Sequence, residues 1–317
     1  MTAMTPGITF DEALDLARLH GPPQILALVD WARSVREEQG AQVDLCSIVN
    51  ARSGSCSEDC AFCAQSGHHD TGVATYPMMS PQDILRHAEA AEQAGAHHFC
   101  IVTSGRALSA RDFETVLEAV RLIKDQTRLE RCASLGLLTP ERASALRDAG
   151  VGRFNHNLEA SRSHFPDIVS THSYDDRVAT VKALKEAGIE ACTGGILNTG
   201  ETDRQRVELA FELKALNPDS VPINFLNARP GTRLAHIKPI DPWDAVKWLA
   251  IFRLVLPDTI IRLAGGRLES LGVMQECGFS AGVNGLLIGN YLTTLGPPPE
   301  EDFSLLRRLG LDVARPS

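Results

Sequence analysis

The chain has 317 residues, 44% of them apolar and 22% charged, with 31 Lys and Arg against 40 Asp and Glu for a formal net charge of -9. It carries no basic run, which argues against a protein that grips nucleic-acid phosphate. Apolar stretches such as 248–252 fall far short of the ~18 residues that cross a bilayer, so neither nucleic acid nor membrane is an expected partner.

The opening residues, MTAMTPGITFDEALDLARLHG, have neither a basic start nor an apolar core, so no secretory leader and a cytoplasmic location are expected. In that reducing setting the eight cysteines point to metal binding or catalysis rather than to disulfides. Two helical runs, 10–19 and 23–39, come first. Short apolar runs then alternate with longer amphipathic ones. The expected strands are 44–51, 97–103, 130–135, 153–158, 190–194, 220–226, 259–263 and 285–288. Helices are expected between most of them, for example 81–95, which Ser80 opens as N-cap and Gly95 closes, and 140–150, 174–188 and 242–256. The prolines at 297–299 mark a turn into a tail helix. Eight strands alternating with helices predict an α/β fold closed as a (β/α)8 TIM-type barrel over 41–296. A helical extension over 1–40 precedes it and a tail over 297–317 follows. An open doubly wound sheet is the other topology this order allows.

Barrel interiors are filled by branched apolar side chains, and these strands break that rule repeatedly. Cys100, Cys132, Cys192, Asn224 and Arg262 lie in or near five different strands. In the run 153–158 the period of two puts Asn155, Asn157 and Glu159 on one face, with His156 and Leu158 on the other. A lone strand cysteine is most often a small buried hydrophobe. Six strands departing together are harder to explain as packing, because each unpaired buried polar group costs ~1–3 kcal/mol. The interior is expected to hold a polar ligand, a metal, or both.

The segment GSCSEDCAFCAQS follows the first strand and carries Cys56, Cys60 and Cys63 in the spacing C-x3-C-x2-C. Structural zinc sites want four ligands in paired knuckles, and no second knuckle is present. Three thiolates without a fourth would leave one iron of a [4Fe–4S] cluster open to another ligand. A purely structural cluster with Cys46 as fourth ligand is the alternative.

This loop resembles that of the radical S-adenosylmethionine (SAM) superfamily. From about 43 to 296 the resemblance narrows to the biotin synthases, through CSEDCAFCAQS, CASLG, FNHNLE, CTGGILNTGE, VPINFLNARPGT, IRLAGGR and YLTT. It implies that Cys56, Cys60 and Cys63 hold the [4Fe–4S] cluster, which binds SAM and splits it to methionine and a 5′-deoxyadenosyl radical. It also implies a [2Fe–2S] cluster deeper in the barrel, on Cys100, Cys132, Cys192 and Arg262, that donates sulfur to dethiobiotin. An Arg ligand is weak because guanidinium stays protonated to very high pH, so Arg262 is expected to ease release of sulfide.

The same resemblance places Phe62 by the adenine, where many members carry Tyr, and Ile196 with Gly195 beneath it. The backbone at Thr103, Ser104 and Gly105 would receive the SAM amino group and Arg177 the methionine carboxylate. Asn157 and Glu159 would meet the ribose, although members often carry Asp at the latter position. Asn157 and Asn224 would bind the cyclic urea of the substrate, and Thr293 and Thr294 its carboxylate. An electron-donor protein and a homodimer are further implications. Cys46 and Cys277 are read as structural, and His68-His69 as a solvated loop. A radical SAM enzyme without a second cluster, or a non-catalytic metal protein, would share the loop but not the deeper set.

Overall fold

Helices start where the sequence offers a capping side chain. Ser80, Ser109, Thr139, Ser173 and Thr202 each accept a backbone N–H from the first turn of the helix that follows. Two of those helices, Pro140–Ala149 and Asp203–Leu216, end on a left-handed residue, Gly150 and Asn217 respectively. In the computed structural model, which describes residues 7–313, these helices alternate with strands.

The strands are β1 (Gln42–Arg52), β2 (His98–Thr103), β3 (Glu130–Ser134), β4 (Arg153–Asn155), β5 (Glu190–Cys192), β6 (Gly195–Leu197), β7 (Ser220–Phe225), β8 (Ile260–Leu263), β9 (Gly285–Leu287) and β10 (Asp312–Val313). All pair in parallel, and β9 returns to β1 through Asp44–Gly285, Leu45–Leu286 and Cys46–Leu287, which closes the barrel. The (β/α)8 expectation holds, and the open sheet is set aside.

Most strand ends fall within two residues of the sequence reading, and two strands depart from it further. The run 190–194 breaks after Cys192, and β6 then pairs β7, with one parallel bridge from Gly195 to Glu159 on its other side. Gly194 sits at the break because the chain crosses β7 so closely that a Cβ there would stand 1.9 Å from the Pro222 carbonyl oxygen. β4 stops at Asn155, but His156 and Leu158 still donate backbone bonds to Cys192 and Gly194 at 2.9 and 2.8 Å. Ile196 donates back to the Glu159 carbonyl at 2.8 Å, so the ladder runs on past the end of β4.

The helix Pro242–Val255 is buried almost all round, because the N-terminal helices Phe10–Ala17 and Pro22–Glu37 cover its outer face. Its Lys247 and Arg253 are therefore buried and satisfied by carbonyls, Lys247 by Ala17 at 2.9 Å and Arg253 by Gly282 at 2.8 Å. The tail forms the expected helix, Pro299–Arg308, and then adds β10 to the start of β1. The short sequence of β10 carried no sign of that pairing.

Candidate active site

Alternation along the closed strands turns one residue in two toward the barrel axis. In β1 these are Cys46 and Ile48, in β2 Cys100 and Val102, and in β3 Cys132 and Ser134. In β4 and its extension they are Arg153, Asn155, Asn157 and Glu159, facing Cys192, Asn224 and Arg262. Together they line one cavity of about 370 Å³ that opens at the C-terminal ends of the strands, under Phe62, Cys63 and Gln65. The polar face expected from the period of two is the wall of this cavity, and His156 is outside it.

The cysteine loop crosses the mouth. Gly54 (φ +73) and Ser55 (φ +48) adopt left-handed backbone to turn the chain there, and a Cβ on Gly54 would meet Thr75 Oγ1 at 2.2 Å. Backbone bonds from Cys56 to the Gln65 carbonyl at 3.0 Å and from Gly67 to the Cys56 carbonyl at 2.8 Å close the loop on itself. Between the cysteines, Asp59 accepts the Ser170 backbone N–H at 2.9 Å, and Glu58 pairs with His172 at 2.6 Å.

Burial pushes the Cys60 thiol up to about 12 and Cys63 to about 11, and the neighbouring thiols of the loop add to both rises. Cys60 and Cys63 therefore resist ionisation until a cation arrives. Among the described residues no three side chains close on a single ion. A cluster asks for a wider spread, since each thiolate binds its own iron.

Deeper down, Cys46, Cys100 and Cys132 pack together with Ala264 and Leu287. Cys192 receives Asn155 Nδ2 at 3.5 Å, and Cys132 lies 3.7 Å from His98 Nδ1. Burial and the adjoining thiols hold Cys100 well above its ordinary range. Cys132 is raised first by its hydrogen bond to Cys46 and then by burial, and that bond lowers Cys46 to about 6.

Asp44 is the buried hub beneath them. Its carboxylate accepts Arg262 at 2.9 Å and Arg153 at 3.0 Å and lies 3.1 Å from His98. Burial works against its charge, but Arg262, the hydrogen bond to His98 and Arg153 outweigh it and hold the carboxyl far below the usual range. Burial likewise disfavours the Arg262 cation, and Asp44 more than restores it.

Of the other residues singled out by sequence, Phe62, Asn157, Glu159, Ile196, Asn224, Thr293 and Thr294 line the cavity. Asn224 has a defined job in the wall, giving Nδ2 to the Gly195 carbonyl at 3.2 Å and accepting the Gly265 N–H at 2.9 Å. Asn157 Oδ1 accepts the Gly194 N–H at 3.1 Å. Arg177 stands behind the wall, 3.7 Å from Glu159 and donating to the Asn157 carbonyl at 2.8 Å. Thr103, Ser104 and Gly105 are not in the cavity lining. They lie against the loop, where Ser104 Oγ donates to the Gly54 carbonyl at 2.8 Å and Thr103 Oγ1 is buried without a partner.

Sequence reasoning passed over Asp44 and Arg153 and read Cys46 as structural. Asp44 and Cys46 share their phase with Ile48, and Arg153 with Asn155, so the signal was present. Cys46 faces the cavity rather than the helix layer that a structural cysteine would join.

Residues 52–213 match the Radical SAM superfamily and residues 222–312 the Biotin and Thiamin Synthesis associated domain. The crystal structure of methylornithine synthase superposes with a TM-score of 0.85 at 19% identity, covering 98% of this chain and 95% of that one. The FeFe-hydrogenase maturase HydG from Carboxydothermus hydrogenoformans gives 0.83 at 15% identity over 97% and 76%. Barrel, loop and superfamily match define the class: a radical SAM enzyme, which uses SAM and a [4Fe–4S] cluster.

Biotin synthase of Picosynechococcus sp. is 51% identical over 96% of this chain and 85% of its own, and that of Trichodesmium erythraeum 51% over 95% and 83%. The chain belongs to the biotin synthase family, and as such it is an enzyme that inserts sulfur.

Proposed function

We propose that the chain converts dethiobiotin to biotin in this cavity, with SAM held at the mouth and a second, [2Fe–2S] cluster held on the floor. Cys56, Cys60 and Cys63 hold the outer cluster, and Cys100, Cys132 and Cys192, with Arg262 at the fourth position, hold the inner one. When bound, the outer cluster supplies the electron that splits SAM, and the inner one supplies sulfur. The observation that carries this reading is the set of inward-facing thiols of β2, β3 and β5 lining one cavity with Arg262, beneath the cysteine loop.

The chain's own residues then bind, orient and exclude water. Phe62 offers the adenine a face, and the Gly195–Ile196 backbone lies beside it because glycine permits the approach. Thr103, Ser104 and Gly105 direct backbone acceptors to the SAM amino group, and the buried, unpartnered Thr103 hydroxyl is available beside them. Arg177 takes the methionine carboxylate, and Glu159 with Asn157 takes the ribose hydroxyls. Burial raises the Glu159 carboxyl, which favours its sharing a proton with a hydroxyl. Asn157 and Asn224 meet the cyclic urea, whose carbonyl and N–H groups an amide complements. Thr293 and Thr294 receive the substrate carboxylate by neutral donors. By family resemblance we also infer an electron-donor protein and a homodimer.

Anaerobic, reduced and reconstituted protein given SAM and dethiobiotin is expected to yield 5′-deoxyadenosine and biotin together. Deoxyadenosine without biotin would overturn the substrate assignment. A product mixture containing neither would overturn the whole reading.

A further inference from the structure

The lower cavity is faced by four thiols, not three. Cys46 stands opposite His98 in the register of β2 and opposite Leu287 in that of β9. Its side chain packs with Cys100 and Cys132 and lines the cavity that Cys192 and Arg262 also line. Its thiol makes a weak polar contact, to the Ser47 carbonyl at 3.6 Å.

Arg262 is differently placed. One terminal nitrogen donates to the Asp44 and Leu286 carbonyls at 3.1 and 3.4 Å, and the other donates to the Asp44 carboxylate at 2.9 Å. A guanidinium must shed a proton to bind iron, and a carboxylate held against it opposes that loss. A thiol exchanges its proton for a metal readily.

We propose that Cys46 is a second donor for the fourth iron position of the inner cluster, able to hold that iron as thiolate while Arg262 stays paired with Asp44. This rests on the inner-cluster reading above and concerns only its fourth ligand. Forming the Fe–S bond releases the Cys46 proton, and any Fe–N bond it displaces is replaced by a proton on Arg262. No iron changes oxidation state. Clusters held by four thiolates are an ordinary solution for iron and sulfide, and this chain has the four sulfurs in place.

The test compares the full-length chain, reconstituted anaerobically, as wild type, Arg262→Ala and Cys46→Ser/Arg262→Ala. Iron, sulfide and Mössbauer spectra are read, with the outer [4Fe–4S] signal reporting an intact barrel. Arg262→Ala is expected to keep the inner signal within about twofold of wild type, and the double variant to lose it by roughly tenfold or more. Equal loss in both variants overturns the inference, and so does equal retention. A wild type with the outer signal alone would instead sink the inner-cluster reading itself.

A second measurement needs no variant. Cys46 in the wild type is expected to be alkylated when only the outer cluster is loaded and protected once the inner one is added. Alkylation at the same rate in both states overturns the proposal.

Discussion

His156 sits between two asparagines of the cavity wall, yet its own side chain is buried outside the cavity, with Nε2 unpartnered. Burial, then the nearby charges of Arg177 and His172, push its pKa well below 6.5. Below that pH the unfolded chain takes a proton that the folded chain refuses. The unfolded state then binds more protons, and stability falls with pH by up to about 1.4 kcal/mol per unit. Urea midpoints measured between about pH 7.5 and 5.5 should therefore decline, and His156→Gln should flatten the decline. Identical slopes would place the titration elsewhere. Across the wall, Arg177 is the residue on which SAM binding turns. Arg177→Met removes a charged hydrogen bond worth about 1.5–3 kcal/mol, so the SAM dissociation constant should rise roughly tenfold or more. An unchanged binding isotherm would return Arg177 to a structural role.

Among the elements, the break between β5 and β6 has the sharpest sequence requirement. Thr193 and Gly194 carry the chain from β5, paired with β4 and β7, to β6, which pairs with β7 and meets the extension of β4 only at Glu159. Gly194→Ala would drive a methyl group into the Pro222 carbonyl at 1.9 Å, which backbone can relieve only by moving. A loss of about 1–3 kcal/mol is expected, read as a lower urea midpoint. Because β6 carries Ile196 into the cavity and Gly195 accepts Asn224, the same change should also weaken binding at the mouth. A wild-type midpoint would mean that the strands approach less closely.

For the molecule as a whole, the tail helix Pro299–Arg308 is tied to the cavity through one buried pair. Arg267 is fully buried, donates to both oxygens of Asp302 at 2.7 Å, and gives Nε to the hydroxyl of Tyr291, a cavity residue, at 2.8 Å. Asp302→Ala leaves that cation without its partner and should destabilise the fold by about 3–5 kcal/mol. Arg267→Met/Asp302→Leu, which removes both charges, should recover much of the loss in urea unfolding. No recovery would show that the tail depends on contacts other than this pair.

The sequence by itself determined the barrel, the polar inner face and the cysteine loop, because each is a local pattern: strand–helix alternation, a period of two, and thiols spaced by three and two residues. The irregular extension of β4 and the split of β5 escaped it, since both depend on which neighbour supplies hydrogen bonds. Which polar groups share a level inside the barrel was decided only by closure. Asp44 meets Arg153 and Arg262 across 109 and 218 residues of chain. Cys46 meets Cys132, two strands away on β3, because the closed ring turns both side chains toward its axis. A residue's facing is set by its own strand, whereas its height against a distant strand is set by the stagger of the whole sheet.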